Sequence, residues 1–289
     1  KMNNDRIQEI LDLMEEARLD YFLISDPQSI AYCTGYYNDP HERMFVFMIS
    51  KHGNHTLFMN DLFYLDHDLD VNIVWHKDGQ DAIQTIVDEM HFPGRIGIDK
   101  NWASHFLLDL MKKLPDAKYI NASPCVDLVR MKKDLQEQVL MIESSKINDA
   151  VMEEIIPFIQ EGVTEKQLAK KLDELFFNHH STCYGAIVAF GKNAADPHHE
   201  NDDTLLRKGD CVLIDMGCVY KGYCSDMTRT FFYEGILEEE IKVYEIVKKA
   251  NEAAEAMIKP GVKLSDIDKC ARKVISDEGY GKYFTHRLG

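Results

Sequence analysis

Lys221-Gly222 lies between two strand-forming stretches, Cys211 to Ile214 and Thr228 to Phe231. It reads as a two-residue hairpin turn with Tyr220 and Tyr223 facing each other across it. That turn sets the register behind it. Asp215 faces Thr228 and Gly217 faces Asp226, so Asp215 and Asp226 share a face as diagonal neighbours, about 7–8 Å apart at the backbone. Aspartate is depleted in strands, yet both lie in apolar stretches and are expected to be buried there. Two carboxylates this close repel when ionised. Burying them costs several kcal/mol each unless a proton, a basic partner or a metal cation compensates. Two solvated surface aspartates would need no such partner; their shared face within apolar strands favours the metal. Hard oxygen ligands suit Mn²⁺, Mg²⁺, Co²⁺ or Zn²⁺.

Other side chains gather around this hairpin in sequence. His198 lies in Asp196-Pro197-His198-His199-Glu200, on a polar loop between the strand Ala186 to Phe190 and the hairpin. The loop can therefore return near the carboxylates, where a histidine binds an oxyanion or shuttles a proton. Gly191 and Asn193 read as turn chemistry, and His179-His180 as surface residues. Tyr184, one strand before the loop, is a candidate substrate contact beside a plainer packing role. Arg229 alternates to the face opposite Asp226 and is expected to pair with an acid behind the sheet. His286 lies in the last residues, Phe284-Thr285-His286-Arg287-Leu288-Gly289.

Helical spacing of Ile7, Ile10, Leu11, Met14 and Ala17 predicts a helix over 4–18. Strands follow at Tyr21 to Ile24, Met44 to Ile49, His55 to Met59, Val71 to Trp75, Arg95 to Ile98 and Lys118 to Asn121. Helices are predicted over Asp81 to Met90 and Trp102 to Lys113. This is one α/β domain, 2–125, closed by Ser123-Pro124 or by the linker up to Arg130. The second domain, 126–289, reads as α+β, with helices outside a mainly antiparallel sheet. Its helices are predicted over Asp134 to Ile156, Thr164 to Phe177, Glu239 to Met257 and Ser265 to Glu278, with Thr164 and Ser265 as N-caps.

The chain has 289 residues and a net charge of −16, with its acids spread along the sequence and no Lys/Arg block. That argues against nucleic acid or an anionic membrane as the main partner. Seven cysteines, scattered and never spaced as CxxC, fit neither a disulfide framework nor a cysteine zinc site, and a reducing cytoplasm is the expected location. No apolar run approaches membrane-spanning length. Lys1 ahead of Met2 reads as a tag remnant.

Together, VLIDMGCVYKGYCSDMTRTF, the preceding GKNAADPHHEND and the terminal YFTHRLG resemble the creatinase/prolidase/aminopeptidase P metallopeptidases, the pita-bread family, and within it bacterial proline dipeptidases. SDPQSIAYCTGYYNDPHER extends the likeness into the amino-terminal region. The resemblance implies a creatinase/prolidase-type α/β domain followed by a pita-bread domain. It also implies two divalent metal ions, Mn, Co or Zn, held by two aspartates, one histidine and two glutamates. Asp215 and Asp226 match the aspartates. His198 matches the substrate-pocket histidine, and His286 the first histidine of the HRxGHG motif. The metal-binding histidine would be the next residue after Gly289 and the glutamates lie further on. The site is thus expected to be incomplete within these residues and the chain to continue in nature.

The reaction implied is attack of a metal-bridged hydroxide on an Xaa-Pro bond of a short peptide, by a homodimer. Xaa-Pro dipeptidase is the leading reading and Xaa-Pro aminopeptidase the alternative. A non-catalytic pita-bread binding module or an inactive fragment is the alternative of another class. A metal-free, creatinase-like amidinohydrolase is disfavoured by the two aspartates.

Overall fold

The computed structural model describes residues 2–91 and 93–288. Lys1, expected above to be a tag remnant, and Gly289 lie outside them. The chain divides into two compact units between Asp134 and Leu135.

The first unit is a six-stranded sheet. Its strands are β1 (Tyr21–Ile24), β2 (Val46–Ser50), β3 (Thr56–Asn60), β4 (Asn72–His76), β5 (Arg95–Ile98) and β6 (Lys118–Asn121), in the order β4-β3-β2-β1-β5-β6. β1 runs parallel to β5, and β5 to β6, while β2 is antiparallel to both β1 and β3. The helices are α1 (Asn4–Glu16), α2 (Pro27–Thr34), α3 (Ala82–Asp88), α4 (Ser104–Lys113) and α5 (Ser123–Met131). Every residue of β1 is buried, and alternation sends its side chains to two cores. Phe22 and Ile24 pack with Ile7 and Ile10 of α1 and Val126 and Val129 of α5. Tyr21 and Leu23 pack with Ile83 and Ile86 of α3 and Leu110 of α4. This is the expected α/β domain, with helices on both faces.

Two of its helices were not foreseen. Asp26 caps α2, Pro27 opens it, and Gly35 closes it in the left-handed conformation at φ 77°, so the residues that stop β1 also start a short helix. In α5, Ser123-Pro124 forms the first turn rather than a linker. The boundary expected after 125 therefore falls inside a helix whose Cys125, Val126 and Val129 belong to the first core, which holds it in the amino-terminal unit.

The second unit begins with α6 (Leu135–Ile155) and α7 (Glu165–Asn178) and ends with the helix pair α8 (Glu238–Glu255) and α9 (Leu264–Asp277). Between them lie β7 (Thr182–Cys183), β8 (Ile187–Phe190), β9 (Cys211–Met216), β10 (Cys218–Tyr220), β11 (Tyr223–Cys224) and β12 (Met227–Phe232). They form two antiparallel three-stranded sheets, β11-β10-β7 and β12-β9-β8, rather than one. Val212, Ile214 and Met216 of β9 are buried against Val151 and Ile155 of α6 and Leu172 and Phe176 of α7. α7 carries the expected Thr164 cap, reinforced by Gln167 as a capping box. The N-cap expected of Ser265 falls instead on Lys263, with no side-chain bond. No helix among the described residues is long and apolar enough to cross a membrane.

Candidate metal centre

The hairpin forms in the expected register. Tyr220 pairs with Tyr223 and Val219 with Cys224, then Met227 with Met216 and Thr228 with Asp215. Lys221 and Gly222 have φ of 48° and 86°, the two positive values a type I′ turn needs. One register thus runs through both sheets, with Gly217 and Asp226 opposite each other in the gap between them.

Gly217 leaves room for a neighbour. A Cβ there would overlap the Tyr184 hydroxyl and the Ser225 carbonyl oxygen. The Tyr184 hydroxyl fills that notch and donates to the Ser225 carbonyl at 2.7 Å, one residue before Asp226. Burial and the charges of Asp226, Cys224 and Asp215 push the Tyr184 phenol up to about 12. Tyr184 therefore sits among the carboxylates and holds the backbone that carries one of them.

The carboxylates are less enclosed than expected. Asp215 is half-buried and Asp226 exposed, because the apolar face of β9 covers the core while Leu213 and Asp215 point to the opposite, half-open face. The Thr228 hydroxyl donates to Asp215 Oδ1 at 2.7 Å, fixing that carboxylate. Although Asp226 is exposed as a residue, its carboxyl is partly desolvated. That, followed by the charge of Asp215, raises its pKa above the ordinary 3.8. No lysine or arginine among the described residues is paired with either group. Hard oxygen donors on one face, with uncompensated charge, fit a divalent cation.

His198 is exposed, its backbone N–H donating to Asp196 Oδ1 at 3.0 Å. Its loop returns along the edge of β8. The Asn201 side chain accepts from Val188 N and donates to Ala186 O, each at 2.7 Å. These residues flank Ile187, the β8 partner of Asp215. His286 is not brought to this place by any contact found for it: it packs edge-on against Phe284, and its carbonyl accepts from Arg272 of α9. Arg229 pairs with no acid among the described residues; on edge strand β12 it stays exposed and donates to the neighbouring Thr228 carbonyl.

A second cluster escaped sequence reasoning. Glu165, His199 and Asp202 place ligand atoms within 4.8 Å of one another. The side chain of Glu165 is fully buried, and both its oxygens are already engaged. Oε1 accepts from Phe190 N at 2.8 Å and Asn193 Nδ2 at 2.9 Å. Oε2 accepts from Asp202 N at 3.0 Å and meets His199 Nε2 at 2.6 Å. The cluster is a hydrogen-bonded hub that satisfies a buried carboxylate, and a cation would have to displace those donors. Only the capping pattern around Thr164 touches this position in the sequence; the partners are all non-local.

Residues 139–289 match metallopeptidase family M24 and residues 6–132 match the creatinase/prolidase N-terminal domain. A Staphylococcus aureus relative described as an uncharacterized peptidase is 31% identical over 98% of this chain and 82% of its own length. Among solved structures, a dipeptidase from Pyrococcus horikoshii is 34% identical with a TM-score of 0.87, covering 98% of this chain and 80% of that one. A Xaa-Pro dipeptidase from Bacillus anthracis is 26% identical at the same TM-score of 0.87, again over 98% and 80%.

Proposed function

The chain belongs to metallopeptidase family M24, with a creatinase/prolidase amino-terminal domain ahead of a pita-bread domain, and from that membership we propose that it is a Xaa-Pro dipeptidase. The observation that carries the reading is the pair Asp215 and Asp226, on one face of the hairpin and without a cationic partner among the described residues. Likeness to the Pyrococcus dipeptidase and the Bacillus Xaa-Pro dipeptidase supports the choice of substrate.

Asp215 and Asp226 would hold divalent cations, Mn, Co or Zn, in a dinuclear site; when bound, these supply Lewis acidity that polarises the scissile carbonyl and acidifies water. The chain's own residues prepare that chemistry. Thr228 occupies Asp215 Oδ1 and leaves Oδ2 free to coordinate. Tyr184 fixes the backbone at Ser225 and so the approach of Asp226. His198, exposed on its loop, offers an imidazole N–H to the oxyanion that develops on the attacked carbonyl. Proline suits this arrangement because it brings no backbone N–H, and nothing here depends on gripping one. The enzyme is proposed to work as a homodimer, which light scattering checks.

The test compares hydrolysis of a Xaa-Pro dipeptide and a Xaa-Pro-containing tripeptide by the purified protein, with and without added Mn²⁺. Metal-dependent cleavage with preference for the dipeptide is expected. Preference for the tripeptide would replace the reading with aminopeptidase. Metal binding without cleavage of either would replace it with a non-catalytic role.

A further inference from the structure

Glu165 is the first residue of α7, where an acid also favours the helix dipole. Its one carboxylate reaches four points along the chain that carries His198. Phe190 is the last residue of β8, where that loop departs. Asn193 lies in its first turn. His199 and Asp202 lie where it returns. The two ends of the 191–203 segment are therefore tied through a single buried group. Pro197 and His198 form the centre of a turn closed by the His199 N–H donating to the Asp196 carbonyl at 3.2 Å. His199 is turned inward at 11% side-chain exposure, while His198 is exposed on that turn. Asn201 fixes the level: its two hydrogen bonds clamp the returning chain beside Ile187, the partner of Asp215. His198 is three residues away, a reach of at most about 11 Å.

We propose that Glu165 is a positioning residue: its buried carboxylate, through His199, Asn193 and the two backbone amides, sets the course of the 191–203 loop and so aims His198 at substrate over Asp215 and Asp226. This rests on the peptidase reading of the site. Glu165 touches neither substrate nor metal and acts through His198. Glutamine is the informative substitution. It keeps the shape but turns one acceptor oxygen into an N–H₂ group, so two of the four donors lose their partner.

The experiment uses the full-length, metal-loaded protein and two readouts. By hydrogen–deuterium exchange, Glu165→Gln is expected to raise exchange at Phe190, Asp202 and the intervening loop about tenfold or more, leaving β1 and β5 unchanged. In steady-state kinetics it lowers kcat for the Xaa-Pro substrate about tenfold or more, a loss of the size that misplacing a catalytic group brings, with KM little altered. In a His198→Ala background, Glu165→Gln is expected to cost no further activity, because its effect passes through that side chain. Additive losses, or unchanged loop exchange in Glu165→Gln, overturn the proposal. Should Glu165→Gln fail to fold, His199→Leu and His199→Gln replace it. Loop protection and kcat must fall in the leucine variant and recover in the glutamine variant, which restores a side-chain donor; equal behaviour of the two overturns the proposal. A wild-type protein that cleaves no Xaa-Pro peptide overturns the peptidase reading alone, and the exchange results then decide the positioning role.

Discussion

Asp226 carries a charge that the metal-free fold opposes. Its pKa lies above the ordinary 3.8 because the carboxyl is partly desolvated and Asp215 stands nearby. A carboxyl raised in this way is protonated more readily in the folded state. Its contribution is therefore most favourable below the ordinary pKa and is lost as pH rises through the raised value. Asp226→Asn is expected to stabilise the metal-free protein at pH 7 by about 1 kcal/mol or less, since the group is partly solvated. The gain should shrink as the pH falls through the raised value and vanish only below the ordinary 3.8. Melting curves of both proteins across that range check it, and a gain that persists in acid would contradict the assignment. Glu165 differs in that its fully buried carboxyl is surrounded by four hydrogen-bond partners. The aspartates were legible in the sequence because a local turn fixes their register. Glu165 was not, because its partners at Phe190, Asn193, His199 and Asp202 become neighbours only in the folded chain.

At the scale of elements, the hairpin depends on the space above Gly217. Tyr184 and the Ser225 carbonyl occupy it. Gly217→Ala must therefore displace either a phenol or backbone, and is expected to cost about 1–3 kcal/mol with weakened Mn²⁺ binding, measurable by chemical denaturation and calorimetry. Gly222→Ala meets open space instead, and strains only the turn at φ 86°. The contrast separates a packing glycine from a conformational one. The helices α1, α6 and α7 and the strand β1 were readable from sequence to within a residue or two. α2 and α5 were not. Each carries a proline in its first turn, a residue that in sequence alone suits a break as well as a helix start. The split of the hairpin region into two sheets was likewise hidden, since alternation continues through Gly217 without a break in register.

For the whole molecule, the cores show where the chain divides. Two clusters lie within the first unit and two within the second. Lys132, Lys133 and Asp134 lie between α5 and α6 and are exposed. Limited trypsin digestion is expected to cut after Lys132 or Lys133 before it cuts within either unit, as mass spectrometry of the first fragments would reveal. Divalent metal should act on the second unit. If it binds only the folded form, Mn²⁺ at a hundredfold its dissociation constant adds about 2.7 kcal/mol. Asp215→Asn should remove most of that gain in a thermal-shift assay, and an undiminished gain would place the metal elsewhere.

The type I′ turn at Lys221-Gly222 has one more consequence, for how this chain tolerates change. Because one register spans Tyr220–Tyr223 to Cys211–Phe232, the stretch from Asp215 to Asp226 works as a ruler. Substitutions along it alter chemistry one position at a time. A single inserted or deleted residue that kept the two-residue turn would flip the returning strand and present Ser225 or Met227 where Asp226 now stands. Libraries built on this hairpin should therefore retain metal binding across many replacements at Val219, Tyr220 and Tyr223, and lose it with almost every change in length.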